Sequence, residues 1–310
     1  MTIAYRCHHL DGGLVFNLTW LTPCCQGPRC TGATLPYAGG PFPIVAWRQM
    51  IAKVGADNQT ESGPCMSCPN LRQQSDSQYG GRFRYVTFDH FSFCNSRCCY
   101  CESWRRMQEN VPHYHLFDTI KEMDADGLFD PAALFTWGGG EPTILDEFEA
   151  LMGYLAAAKY RQYVNTNAIV YSPALAAAVT SGHANMQVSL DSGTEDTYYN
   201  MKGRGLFVLV TDNLRQYASV AHAATHIELK YIIANKNCAD ADLNGFVELC
   251  KELHLYRVSV SPEAVESHKK AILPSTIQQT NKLIAMCRGA GLDVVVRHDL
   301  YGSKYSPQLI

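Results

Sequence analysis

The chain has 310 residues, 46% of them hydrophobic, which is enough apolar material for one large domain with or without a small one. Its net charge of −3, without a basic run, gives no electrostatic support for nucleic-acid binding. The N-terminus lacks a signal-peptide pattern, and no run approaches the ~20 apolar residues of a membrane helix. We therefore expect a cytoplasmic protein that does not bind a membrane.

The cysteine content is high for such a protein. Of 13 cysteines, 10 lie within residues 1–101. In a reducing compartment this clustering favours bound metal over disulfides.

Residues 1–80 form a cysteine-rich segment. Cys7, a DGG turn at 11–13 and a strand-like run ending at Cys24 predict a hairpin with cysteines near both ends. Apolar spacing predicts a helix over 44–54, and a C-x2-C follows at Cys65 and Cys68. Our preferred ligand set is Cys7, Cys24, Cys65 and Cys68, with Cys25 and Cys30 as alternatives. Four thiolates would saturate a [4Fe–4S] cluster or a structural zinc.

Strand-like and helix-like segments alternate from residue 81 to the end, which predicts βα units and a parallel sheet. The predicted strands are 83–93, 133–138, 162–167, 185–191, 226–233, 257–261 and 292–298. The predicted helices cover 114–126, 145–159, 173–180, 208–221, 240–254 and 275–289. Right-handed crossovers would curl such strands into an open barrel, with the chemistry at the carboxyl ends of the strands.

The first of these strands leads into a loop with the spacing C-x3-C-x2-C, formed by Cys94, Cys98 and Cys101. Three soft thiolates suit an iron–sulfur cluster, and a protein ligand set of three leaves one iron open to a small molecule. Cys99 is the alternative to Cys98, but its use would make the last gap a single residue. A zinc site is the alternative to a cluster.

Polar residues follow the next strands. Gly138, Gly139, Gly140 and Glu141 come after the second strand, and a glycine cluster lets the backbone approach a ligand closely. The third strand ends in the polar run 165–167, and the fourth ends with Ser189 and Asp191. Lys230 lies within the fifth strand, and Arg204 lies in a segment, 198–205, that we predict to be a loop.

The cysteine loop and the GGGE run together resemble the radical SAM superfamily. The resemblance implies a partial (β/α)6 TIM-like barrel over 81–310, in which a [4Fe–4S] cluster on Cys94, Cys98 and Cys101 chelates S-adenosylmethionine (SAM). Cleavage of SAM would then yield a 5′-deoxyadenosyl radical. The SAM-binding residues implied are Tyr100, Gly139, Gly140, Glu141, Asn165, Ser189 and Asp191, with Arg204 or Lys230 opposite the carboxylate.

Residues 1–80 resemble the auxiliary-cluster module of the SPASM or twitch type, although that module follows the barrel in most relatives. The resemblance implies a second [4Fe–4S] cluster that relays an electron.

The resemblance also implies the function of the chain. We expect a radical SAM enzyme that abstracts hydrogen from a small or carbohydrate-like substrate, to oxidise or epimerise it. A maturase that crosslinks or epimerises a ribosomal peptide is the alternative, and a zinc-braced, non-catalytic binding protein is the alternative from another class. The expected partners are a small-molecule or peptide substrate and an external electron donor of the flavodoxin or ferredoxin type.

Overall fold

The structure is a computed structural model that describes residues 3–24, 33–60, 63–66, 68, 71–75, 81–101, 104, 114–220, 223–262 and 274–296. Backbone contacts divide the chain into two compact units. The first unit comprises residues 1–92, 107–140 and 154–162, and the second comprises residues 93–106, 141–153 and 163–310.

The secondary structure is mixed α/β. The strands in the described residues are β1 (Ile3–Arg6), β2 (Gly13–Asn17), β3 (Trp20–Thr22), β4 (Leu35–Pro36), β5 (Arg72–Ser75), β6 (Phe83–Asp89), β7 (Phe129–Trp137), β8 (Arg161–Thr166), β9 (Ala184–Ser189), β10 (Ile227–Ile233), β11 (Arg257–Pro262) and β12 (Asp293–Val296). The helices there are α1 (His8–Gly12), α2 (Ile44–Asp57), α3 (Phe117–Ala125), α4 (Phe148–Ala157), α5 (Pro173–Thr180), α6 (Glu195–Lys202), α7 (Phe207–Ala218), α8 (Asp240–Glu252) and α9 (Pro274–Gly289).

In the first unit the strand order is β4-β3-β2-β6-β7. The pairs β2–β6 and β6–β7 are parallel, whereas β2–β3 and β3–β4 are antiparallel. The core of this unit is aromatic, because Phe16, Phe88, Phe135 and Trp137 are fully buried. Towards their carboxyl ends β6 and β7 alternate between buried residues and partly exposed ones, so one face of each strand packs in this core.

The N-terminal segment differs from its predicted form. Residues 11–12 belong to α1 and not to a turn, and β2 and β3 form the hairpin. β2 then lies beside β6 in register, with Gly13 opposite Tyr85 and Asn17 opposite Asp89. The segment therefore contributes a strand to the parallel sheet. β1 pairs separately with β5 in an antiparallel ladder.

In the second unit the strand order is β8-β9-β10-β11-β12, and the pairs β9–β10, β10–β11 and β11–β12 are parallel. Along β10, the odd-numbered residues 227–233 are buried and the even-numbered ones are half-buried. This alternation gives β10 one face packed in the core and one more open face. The predicted α/β class with parallel strands is confirmed.

The element predictions from residue 81 onward hold with shifted ends, with one exception. Residues 195–202 form α6, where we predicted a loop beginning at residue 198. Thr194 caps the start of α6 by accepting from the Thr197 amide, acidic residues occupy its first turn, and Gly203 ends it with a left-handed φ of 62°. These are the ordinary start and stop signals of a helix.

None of the helices in the described residues is both long enough and apolar enough to cross a membrane.

Candidate functional site

The cysteine loop follows β6, and its three predicted ligands lie near one another. The Cys94 Sγ accepts from the Ser96 amide at 3.4 Å, and the Cys98 Sγ lies 3.4 Å from the Ser96 Oγ. Burial, together with negative charge on Glu141, Cys98 and Cys101, raises the pKa of the Cys94 thiol to about 12. A bound group that stabilises the thiolate is therefore needed to keep Cys94 ionised near neutral pH.

Cys98 and Cys99 have different surroundings. The Cys99 amide donates to the Met201 carbonyl at 2.9 Å, and its Sγ lies 3.9 Å from the Met201 Sδ. The Cys98 thiol instead lies 3.4 Å from the Ser96 hydroxyl. This arrangement favours Cys98 as the ligand.

Glu141 is buried, with 2% of its surface exposed. Its Oε1 accepts from the Thr143 amide at 3.3 Å, the Thr143 hydroxyl at 2.7 Å and the Thr166 hydroxyl at 2.6 Å. Its Oε2 accepts from the Asn167 amide at 2.7 Å. Burial raises the pKa of Glu141, and these donated hydrogen bonds oppose that rise by favouring the carboxylate. Within the polar run 165–167, Thr166 and Asn167 are the residues that hold Glu141.

Asn167 also joins this network to the cysteine loop. Its side-chain amide donates to the Asn95 Oδ1 at 2.7 Å and lies 3.6 Å from the Cys94 Sγ. Glu141 thereby fixes the carboxyl end of β8 against the first cysteine.

The glycine run lies at the carboxyl end of β7, where Trp137 pairs with Phe88. The Gly138 amide donates to the Phe88 carbonyl at 2.9 Å, and the Gly140 amide donates to the Phe91 carbonyl at 3.0 Å. Gly139 has a φ of 79°, and an added Cβ would lie 2.4 Å from the Phe91 carbonyl oxygen. Only glycine satisfies both conditions, so the turn at Gly139 depends on its residue type.

The Asp191 carboxylate contacts Tyr100 and also Lys202, which lies in the segment 198–205 that we predict to be a loop. Asp191 is fully buried and forms an ion pair with the Lys202 ammonium. The Tyr100 hydroxyl donates to the same carboxylate. Lys202 could have been noticed as the basic residue of the last turn of a capped helix. The Asp191 carboxylate is thus engaged within the protein, whereas Ser189 is half-buried.

The other predicted SAM contacts lie on or near the same strands. Ser189 on β9 is opposite Lys230 on β10, and Lys230 is in turn opposite Ser259 on β11. Lys230 is half-buried on the more open face of its strand. Asn165 is half-buried on β8, and Arg204 is exposed just beyond α6.

Three of the four predicted N-terminal ligands cluster in the first unit. Burial raises the pKa of Cys7, and the nearby Cys68 and Cys65 raise it further. Cys7 and Cys65 pack against Leu10 and Val54, and the Cys68 amide donates to the Cys65 carbonyl at 2.8 Å, which closes the C-x2-C turn.

Cys24 follows Pro23, whose carbonyl oxygen would lie 2.1 Å from a Cβ added at Gly13. Gly13 directly follows α1, the helix that begins after Cys7. The chain just before Cys24 therefore lies close to this helix. Cys25 and Cys30 lie outside the described residues.

A cavity of about 410 Å³ lies in the first unit between α2 and the start of β6, with Leu10, Trp47, Ile51 and Phe83 in its wall. None of the predicted site residues lines it. The cavity is therefore separate from the cysteine loop and from the glycine turn.

Every predicted ligand in the two groups of cysteines is a thiol. In the part of the chain that the structure describes, no three His, Cys, Asp or Glu side chains converge tightly enough to hold one metal ion. The thiolate ligands of a [4Fe–4S] cluster bind different irons, so they need proximity and not convergence on one point. The all-thiol composition of both groups fits such a cluster.

Residues 88–227 match the family model of the radical SAM superfamily. The match covers 140 of the 310 residues. The matched region includes the cysteine loop, the glycine run, Glu141, Asp191 and Lys202.

Curated proteins similar to this chain include the mycofactocin maturase MftC. The protein from Mycobacterium tuberculosis is 26% identical over 160 residues, which are 51% of this chain and 39% of MftC. The protein from Mycolicibacterium smegmatis is 24% identical over the same length. The chain thus spans about two fifths of the length of the curated relatives it matches.

Solved structures share the fold. SuiB of Streptococcus suis, bound to its precursor peptide SuiA, aligns with a TM-score of 0.54 and 13% identity over 95% of this chain and 71% of SuiB. The structure of anSMEcpe with bound SAM aligns with a TM-score of 0.54 and 15% identity over 69% of this chain and 64% of that one. These similarities show the radical SAM fold.

The surroundings of Cys98 and Cys99 lead to a paired test. We expect Cys98→Ala to lose the SAM-binding cluster and SAM cleavage, because the third thiolate is removed. Cys99→Ala should keep both, since its thiol faces Met201. Iron analysis and mass spectrometry of 5′-deoxyadenosine measure the two effects. Loss in Cys99→Ala with retention in Cys98→Ala would reverse the ligand assignment.

Proposed function

We propose that this chain is a radical SAM enzyme that modifies a peptide. The observation that carries the proposal is the grouping of the Cys94, Cys98 and Cys101 thiols in the loop after β6, within the residues that match the family. When bound, a [4Fe–4S] cluster and SAM supply a one-electron cleavage that yields a carbon radical able to abstract hydrogen. The abstraction would lead to crosslinking or epimerisation of the peptide.

Different residues of the chain would bind the cluster and the separate groups of SAM. Cys94, Cys98 and Cys101 would each bind one iron. The Glu141 carboxylate accepts hydrogen bonds from Thr143, Thr166 and Asn167, so its role is to hold the loop. The methionyl amine of SAM would instead be bound by backbone carbonyls of the glycine run. We assign the ribose hydroxyls to Ser189.

The SAM carboxylate needs a cation. Lys230 is our first choice over Arg204, because Lys230 is half-buried beside Ser189 on the neighbouring strand. Arg204 is exposed, so an ion pair there would be weaker.

A peptide substrate has better support than the small or carbohydrate-like substrate that the sequence favoured. The curated relatives are named as maturases of mycofactocin, and SuiB binds a precursor peptide.

We propose a second [4Fe–4S] cluster at Cys7, Cys24, Cys65 and Cys68, with a role other than substrate binding. Cys7 lies before α1, at the amino end of β2, whereas the glycine run lies at the carboxyl end of the parallel strand β7. The five residues of β2 alone span about 13 Å. A substrate bound at the carboxyl ends would not reach such a cluster, so electron relay or bracing of the N-terminal segment is its function.

The reductant would come from outside the chain. We propose a flavodoxin- or ferredoxin-type donor in the cytoplasm, where thiols stay reduced and available to iron.

The test uses protein purified without oxygen. We expect about eight irons per chain and formation of 5′-deoxyadenosine after addition of dithionite and SAM. A pool of short synthetic peptides should raise that formation above the level without substrate, whereas a pool of sugars and aminocyclitols should not. Mass spectrometry quantifies the nucleoside in each case.

The outcomes separate the parts of the proposal. Stimulation by the sugar pool alone would overturn the peptide assignment and keep the radical chemistry. Colourless protein that contains zinc and does not cleave SAM would overturn the enzyme itself and favour a zinc-braced binding protein.

The N-terminal cluster has its own test. Cys65→Ser/Cys68→Ser should halve the iron, because two of its four ligands are removed, and should leave the SAM-induced change in the EPR spectrum of the other cluster. Cys250→Ser/Cys287→Ser is the matched control, since both of these thiols are buried away from the proposed ligands. Unchanged iron in Cys65→Ser/Cys68→Ser would contradict a second cluster.

A further inference from the structure

A buried ion pair lies beside the cysteine loop. The side chains of Lys202 and Asp191 are 1% and 0% exposed. Asp191 adopts a left-handed φ of 59° immediately after β9 and accepts from the Ile232 amide at 2.6 Å through its Oδ1. Two buried charges persist in a protein only when geometry and hydrogen bonds compensate their desolvation. The remaining contacts of this pair meet that condition.

Tyr100 and Ser96 connect the pair to the cysteine loop. The Tyr100 hydroxyl accepts from the Lys202 Nζ at 3.0 Å and donates to the Asp191 carboxylate. The Ser96 hydroxyl, which donates to the Lys202 carbonyl at 3.2 Å, lies 3.4 Å from the Cys98 Sγ. The ammonium also lies 5.4 Å from the centroid of the Tyr100 ring. Lys202 therefore contacts the cysteine loop through Tyr100, which precedes Cys101 in the chain, and through Ser96, which lies beside the Cys98 sulfur.

The charge on Lys202 is retained in this setting. Burial alone would lower the pKa of Lys202, but the Asp191 carboxylate and the Cys98 sulfur raise it above its usual range. The ammonium is thus a fixed positive charge close to one sulfur of the cysteine loop.

The same residue also holds the backbone of the loop. The Lys202 carbonyl accepts from the Arg97 amide at 2.8 Å and from the Ser96 hydroxyl at 3.2 Å. At Gly203, an added Cβ would lie 3.0 Å from the Arg97 carbonyl oxygen. Because the backbone of Lys202 fixes the loop, the distance from its ammonium to the cluster ligands is fixed as well.

We propose that Lys202 is a positioning residue whose buried charge raises the reduction potential of the cluster bound at Cys94, Cys98 and Cys101, and that Asp191 partly offsets it. This inference rests on the proposed function. Reduction adds one electron from the external donor to the cluster and moves no proton. A neighbouring positive charge stabilises the added negative charge, and little water is present to screen it. Net charge and hydrogen bonds to the sulfurs are the terms by which a protein sets such potentials.

The test compares midpoint potentials of the anaerobic holoprotein by reductive titration followed by EPR. Lys202→Met should make the cluster at least tenfold harder to reduce, which is 59 mV for one electron. Asp191→Asn should shift the potential in the opposite direction, and the double variant should return towards the unmodified protein. Lys251→Met is the matched control, because Lys251 pairs with Glu248 on an exposed surface, and it should not move the potential.

A charge effect shifts the midpoint potential in opposite directions in Lys202→Met and Asp191→Asn. Damage to the loop would instead shift it in the same direction in both variants. Equal potentials in all variants that contain full iron, or shifts of the same sign, would overturn the proposal. If Lys202→Met does not hold iron, Asp191→Asn alone decides: an unchanged or lowered potential contradicts the inference. Absence of iron in the unmodified protein would instead overturn the proposed function, and this inference with it.

Discussion

The hydrogen bonds between the last turn of α6 and the cysteine loop are the contacts on which the candidate site depends. Residues 93–101 have no helix or strand of their own, so their backbone must be held by other elements. The carbonyls of Met201 and Lys202 accept from the amides of Cys99 and Arg97, and the buried Lys202–Asp191 pair anchors that turn of α6 to the end of β9. Removing one partner of such a pair costs about 3–5 kcal/mol, because an unpaired charge remains buried.

Glu141 is the second anchor of the loop. Its carboxylate accepts four hydrogen bonds, two of them from backbone amides, and so ties the turn after the glycine run to the carboxyl end of β8. Asn167 extends this network to Asn95 and Cys94. The acidic residue of the GGGE run thus has a structural task, and the glycines remain available for close approach of a ligand. One face of the loop is held through Glu141 and the other through α6.

The sequence was sufficient for the parts of the structure that follow from local pattern. Alternating apolar segments predicted the βα order, and the spacing of Cys94, Cys98 and Cys101 predicted the thiol group. It was not sufficient for α6, because Tyr198, Lys202 and Arg204 were interpreted as a polar loop and the caps at Thr194 and Gly203 were overlooked. β2 pairs with β6, which is far from it in sequence, and Lys202 pairs with Asp191, which is brought to it by a turn of the chain. Local periodicity contains no information about such contacts.

The central claim is that the Cys94, Cys98 and Cys101 loop holds a cluster that binds SAM. The most direct measurement is the EPR spectrum of the anaerobic, dithionite-reduced protein before and after addition of SAM, in the unmodified chain and in Cys65→Ser/Cys68→Ser, which retains only this cluster. The account predicts a [4Fe–4S] signal whose g-values change on addition of SAM in both proteins. A signal that does not respond to SAM in either protein would contradict it.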